Sequence, residues 1–169
     1  MSVAYDYIVS EANPLDSIEE LMESHNWVFN RMSDEELMVQ VTGKSCSYNL
    51  YFIWQDNMNA LQFCVQYDFQ INKSEMDKAA RTLMTINENL WMGHFEIPKD
   101  TRTPSFRYTG LYSGLKQSAD ADTSHVSDLV EVALSQCEKH YAVFYFLSHA
   151  NDANEQNLSL ALMETMGES

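Results

Sequence analysis

The stretch CSYNLYFIWQDNMNALQFCVQYDF, residues 46–69, holds two runs in which every second residue is apolar. Cys46, Tyr48, Leu50, Phe52 and Trp54 form the first; Leu61, Phe63, Val65, Tyr67 and Phe69 form the second. Period-two alternation marks strands with one buried face. Asp56-Asn57-Met58-Asn59 supplies turn chemistry between them, so a hairpin there pairs Phe52 with Phe63 and Trp54 with Leu61. The same period runs upstream through Trp27 and Phe29, then Leu37, Val39 and Val41. A turn around residues 33–35 pairs Phe29 with Val39, and one centred on Gly43-Lys44 pairs Val41 with Cys46 and Val39 with Tyr48. All three registers put the apolar set on one face. Because a one-residue slip turns a whole strand over, this agreement predicts a four-stranded antiparallel meander.

Two helical patterns flank the meander. Asn13-Pro14 opens the first, with Leu15, Ile18, Leu21 and Met22 as its buried stripe. The second, from Asn72, repeats Met76, Ala79, Ala80, Leu83, Ile86 and Leu90 at helical spacing. Asn72 with Glu75 reads as a capping box, Trp91 as the aromatic that closes the last turn, and Gly93 as the helix end, leading into a strand at 94–97. This long helix is expected to lie over Tyr48, Phe52, Phe63 and Tyr67. A second strand at 105–112 follows a polar segment bounded by Pro98 and Pro104. A connector at 113–123 then leads to a helix capped by Thr123 or Ser124, with Val126, Leu129, Val130, Ala133, Cys137 and Tyr141 as its stripe, and a last helix ends at Gly167. The order of helix, four-strand meander, long helix, two strands and C-terminal helices is an α+β fold, an antiparallel sheet packed by helices.

A chain of 169 residues suits a single domain over 1–169, with 1–12 as a flexible N-terminal segment. Twenty-five acidic against ten basic residues give a net charge of −15, which repels nucleic acid and anionic lipid headgroups. The N-terminus lacks the basic start of a secretory signal, and the longest apolar run, 141–147, is too short to span a bilayer, so the expected location is cytoplasmic. Cys46, Cys64 and Cys137 are odd in number and set in apolar patterns, as reduced buried thiols are.

No nucleophile elbow, phosphate loop or paired-cysteine motif is present. The histidines at 25, 94, 125, 140 and 149 are dispersed, and His25 and His140 fall near expected helix ends. Asp120, Asp122, Ser124, Asp128 and Glu131 match the oxygen-ligand spacing of a calcium loop, but His125 stands where the sharp turn needs glycine. The segment is therefore read as an acidic connector feeding a helix cap, with no cofactor and no metal.

Several strings resemble the YbjN family of bacterial proteins: Trp27-Val-Phe-Asn-Arg31, Cys46-Ser-Tyr-Asn-Leu50, Ile86-Asn-Glu-Asn-Leu-Trp91-Met-Gly-His-Phe95 and Ala161-Leu-Met-Glu-Thr165. The resemblance covers roughly residues 15–167. It implies a fold similar to type III secretion chaperones and a role as a regulator of sensory transduction, and it brings no catalytic residue. The expected function is a non-enzymatic protein-interaction module, chaperone-like or regulatory, with a protein partner and a homodimeric state. The other candidate is a small-ligand sensor with an apolar pocket between sheet and helices. In the meander's register Val28, Met38, Tyr51 and Ile53 lie on the face opposite the core, with Tyr51 across from Cys64. Such a patch among Asn and Gln is the candidate protein-binding site.

Overall fold

The alternation seen in the sequence becomes a sheet with one sealed face. In the computed structural model, which describes residues 13–112, 119–149 and 155–167, a first helix α1 (Pro14–Ser24) precedes four strands: β1 (Val28–Ser33), β2 (Glu36–Thr42), β3 (Ser47–Gln55) and β4 (Ala60–Tyr67). Helix α2 (Met76–Glu88), the short strand β5 (His94–Glu96), β6 (Ser105–Leu111), α3 (Ala119–His149) and α4 (Glu155–Gly167) follow. The strands form one antiparallel sheet in the order β1-β2-β3-β4-β6-β5. The expected meander is present, and the later hairpin extends it, because β6 pairs along β4 and sets Phe106 opposite Val65 and Tyr108 opposite Phe63. The N-terminal segment 1–12 and most of the expected connector, 113–118, lie outside the described residues.

Two of the three expected registers are found. Phe29 pairs with Val39, Phe52 with Phe63 and Trp54 with Leu61. Between β2 and β3 the pairing is displaced by two residues, to Val39 with Leu50 and Val41 with Tyr48. The cause is a wider turn: the Gly43 N–H donates to the Cys46 carbonyl at 2.9 Å, so residues 43–46 all leave the ladder. Glu138 of α3 holds that turn, its carboxylate accepting the Lys44 N–H at 2.8 Å and the Ser45 hydroxyl at 2.7 Å. A side chain at Gly43 would run into the Glu138 carboxylate and the Tyr48 ring. A shift of two preserves the face, so the apolar set stays together.

That set is buried. Leu37, Val39, Tyr48, Leu50, Phe52, Phe63, Val65 and Tyr67 are shielded from solvent with Phe95 and Phe106. The helix lying on them is α3, which packs on β4 and β6, while α1 covers β1 to β3. The sequence assigned this cover to the second helix; α2 instead packs against β5 and α3. The reason is length. At 31 residues α3 spans about 46 Å, enough to cross the sheet, and its Val143, Phe144 and Leu147 are fully buried. It begins at Ala119, so Thr123 and Ser124 lie inside it rather than at its cap. Alanine and aspartate in a first turn favour that longer start.

The second helix also departs from its expected ends. A 3-10 turn at Lys73–Glu75 precedes it, Asn72 accepts the Ser74 N–H at 3.2 Å, and Glu75 turns to the Lys78 ammonium at 3.0 Å instead of closing a reciprocal box. It stops at Glu88, five residues before Gly93, and just inside that end stands Asn87. Its amide donates to the Phe95 carbonyl at 3.0 Å and accepts the Phe95 N–H at 2.8 Å, fixing β5 to the helix. Gly93, at φ +66°, makes the turn into β5 under the Phe106 ring, where no Cβ fits. Trp91 is left 78% exposed rather than closing the core.

Phe63, at the centre of the sealed face with its ring 4.7 Å from Phe52, reports on this arrangement. Phe63→Ala is expected to lower unfolding free energy by about 3–5 kcal/mol in urea titrations. The control Asn49→Ala, on the opposite face, is expected to change it by less than about 0.5 kcal/mol.

Candidate functional site

The far side of the sheet is the surface on which the expected binding residues fall. All the helices that pack on the sheet do so on its sealed face, so among the described residues this side carries no helix. Met38 pairs with Tyr51 and Tyr51 with Cys64, making a continuous row across β2, β3 and β4. Ile53 stands next to Tyr51 along β3, opposite Glu36 and Gln62. Met38, Tyr51 and Ile53 are half-buried. Val28 lies on the edge strand, 73% exposed, and faces Gln40, so polar Gln40 and Asn30 separate it from the Met38–Tyr51 row.

The same face continues onto strands that sequence reasoning had not joined to the sheet. Arg107 of β6 lies opposite Cys64 and reaches both ways: one guanidinium nitrogen donates to the Gln62 amide oxygen at 3.1 Å, another meets the Glu96 carboxylate at 3.4 Å. The His94 ring lies 3.6 Å from the same carboxylate. The surface is thus half apolar and half a polar hub centred on Arg107, the mixture usual at interfaces. Arg107, Glu96 and His94 were missed because strand pairing across 40 residues leaves no local signal.

The thiols are not poised for chemistry. Burial pushes Cys46 and Cys64 up to about 11 and Cys137 well above its ordinary value, so each stays protonated near neutrality. The calcium-loop spacing at 120–131 runs along the helical backbone of α3 rather than around a loop; the side chains of Asp120 and Asp122 lie outside the described residues. No helix among the described residues is long and apolar enough to cross a membrane.

Two cavities lie between helices. One, of about 290 Å³, is a groove between α1 and α3 with Leu21, Trp27, Leu134 and Glu131 in its wall. The other, of similar volume, is enclosed by the end of α2, the middle of α3 and α4. His140 lines it while only 6% exposed. It sits inside α3, not near a helix end, with its ring 5.2 Å from Phe95. Its Nδ1 donates to the Gln136 carbonyl at 2.9 Å, which leaves Nε2 as an acceptor in the neutral ring. Burial, and secondarily the Lys139 charge, lower its pKa; the Gln136 carbonyl opposes them.

The family model for YbjN, described as "Putative bacterial sensory transduction regulator", matches residues 14–146. This chain belongs to the YbjN family. A crystal structure of YbjN from E. coli, described as "a putative transcription regulator", superposes with a TM-score of 0.50 at 11% identity, covering 75% of this chain and 93% of that one. At that identity the likeness is one of fold. No curated protein matches the chain.

The YbjN match spans every strand and the first three helices up to residue 146, so it takes in the sealed face, the outer face and most of the second cavity's wall. Within that span His140 makes stability depend on pH. Its folded pKa lies below the ordinary 6.5, so the neutral ring's contribution is fully present above 6.5 and is lost as pH falls from there through the folded value. Between pH 7.5 and 5.5 the native protein is expected to lose more unfolding free energy than a His140→Phe variant, measured by urea titration at each pH. Equal losses would contradict the assignment.

Proposed function

We propose that this YbjN-family chain is a non-enzymatic regulatory module that works by binding a protein partner through the outer face of its sheet. The observation that carries the reading is the Met38–Tyr51–Cys64 row with Ile53 beside it, on a sheet side that no described helix covers. Tyr and Met are enriched at interfaces, and an apolar row rimmed by Gln40, Asn49, Gln62 and the Arg107 hub has the composition of one. The family's description as a regulator supports the regulatory part. Thiols held protonated and histidines far apart in the chain support the non-enzymatic part. A second copy of the chain is one form such a partner takes.

Replacing Tyr51 and Ile53 together by Ser tests this. Both side chains lie off the sealed face, so the fold is expected to persist. Light scattering should then show a reduced mass, or affinity capture a loss of partners recovered by the native chain. A folded variant with unchanged mass and unchanged partners would overturn the proposal.

A further inference from the structure

The cavity between α2, α3 and α4 has a chemistry unlike the rest of this molecule. Acidic residues outnumber basic ones 25 to 10, yet no carboxylate lines this cavity, and its one charged lining group is the Lys139 ammonium. Lys139 forms no ion pair within the described residues. The groove between α1 and α3, of equal volume, has Glu131 in its wall and no lysine or arginine. A concave site that leaves a lysine without a carboxylate, in a chain that has 25 of them to offer, holds a place for an anion brought by a ligand, against the repulsion of the net charge.

The rest of the lining gives the body of that ligand. Ile86, Leu90, Leu162 and Met166 make an apolar wall, and Trp91 stands over it with most of its indole in water. Tryptophan buries more apolar area than any other side chain, and one that the core leaves free beside a cavity offers a flat surface for stacking. The amides of Gln136 and Asn89 and the hydroxyl of Thr85 add hydrogen-bonding groups to the same wall. A volume of about 290 Å³ is that of about ten waters in the liquid, so the space takes roughly a dozen non-hydrogen atoms.

We propose that this cavity binds a small carboxylic acid with an apolar body, the carboxylate on Lys139 and the body between Ile86, Leu162 and the Trp91 indole. The site is separate from the outer sheet face, and it gives a regulator a means of responding to a small molecule. It also lies between helices, not between sheet and helices, where Leu50, Phe52 and Phe63 fill the space.

The probe is 4-phenylbutyrate, with its neutral amide as the matched comparison, titrated into the full chain by calorimetry and by tryptophan fluorescence. Saturable binding of the acid with a blue shift of the emission is expected, since Trp91 passes from water to contact. The amide is expected to bind on the order of tenfold more weakly, and Lys139→Gln to weaken the acid by a similar factor while leaving the amide unchanged. Glu131→Gln, in the other groove, is expected to leave acid binding as it is. Absence of saturable binding at millimolar acid, equal binding of acid and amide by the native chain, or an unaltered affinity in folded Lys139→Gln would each overturn the proposal. The comparison of acid with amide needs no variant.

Discussion

A hydroxyl at the end of the central strand holds the long helix to the sheet. Tyr67 closes β4, is fully buried, and donates to the Cys137 carbonyl of α3 at 2.6 Å, bridging 70 residues of sequence. Its ring meets Tyr48, Phe69 and Phe144 with centroids 5.2 to 5.4 Å apart. A buried phenol needs a partner, and the carbonyl on α3 is its partner, so the helix cannot slide along the sheet without stranding the hydroxyl. The same burial drives the Tyr67 pKa well up and keeps the proton that makes the bond. Once α3 is placed, Glu138 falls over the 43–46 turn, and Phe144 and His140 both come against the Phe95 ring.

Commitment of α3 to one face has a consequence for the other. Helices α1 and α3 pack on the sealed side, and α4 packs on α3, which leaves Met38, Tyr51 and Ile53 without helical cover among the described residues. The proposed partner binding rests on this row, since apolar patches on open sheet faces are a common mark of interfaces. The helices also enclose a cavity where α2 ends early. Asn87 ties the end of the helix to Phe95, and the five residues to Gly93 bring Trp91 into the cavity's lining.

The sheet was legible because alternation over 27–69 gives each strand a face, and three turns had to agree on it. Turn width was not legible: nothing in Gly43-Lys44-Ser45-Cys46 announces that Glu138, more than 90 residues on, will hold all four residues out of the ladder. The cover was misassigned for a related reason. The stripe at 76–90 is clear, but a stripe does not say which surface it meets, and only the pairing of β6 with β4 creates the ground on which α3 lies. Val28, Met38, Tyr51 and Ile53 were placed on the outer face by parity alone and are found there. Arg107, Glu96 and His94 join them through a pairing that parity cannot supply, and the cavity around Lys139 needs three helices, of which the sequence shows only the stripes.

The seating of α3 on β4 at Tyr67 is tested most directly by a double-mutant cycle between Tyr67→Leu and Phe144→Leu, read by urea unfolding. The rings lie 5.2 Å apart, so the two substitutions are expected to couple by about 0.5–1.5 kcal/mol, as packed aromatic pairs do. Additive effects, with coupling under about 0.3 kcal/mol, would mean that the helix does not rest on the central strand, and the account built on it would fail.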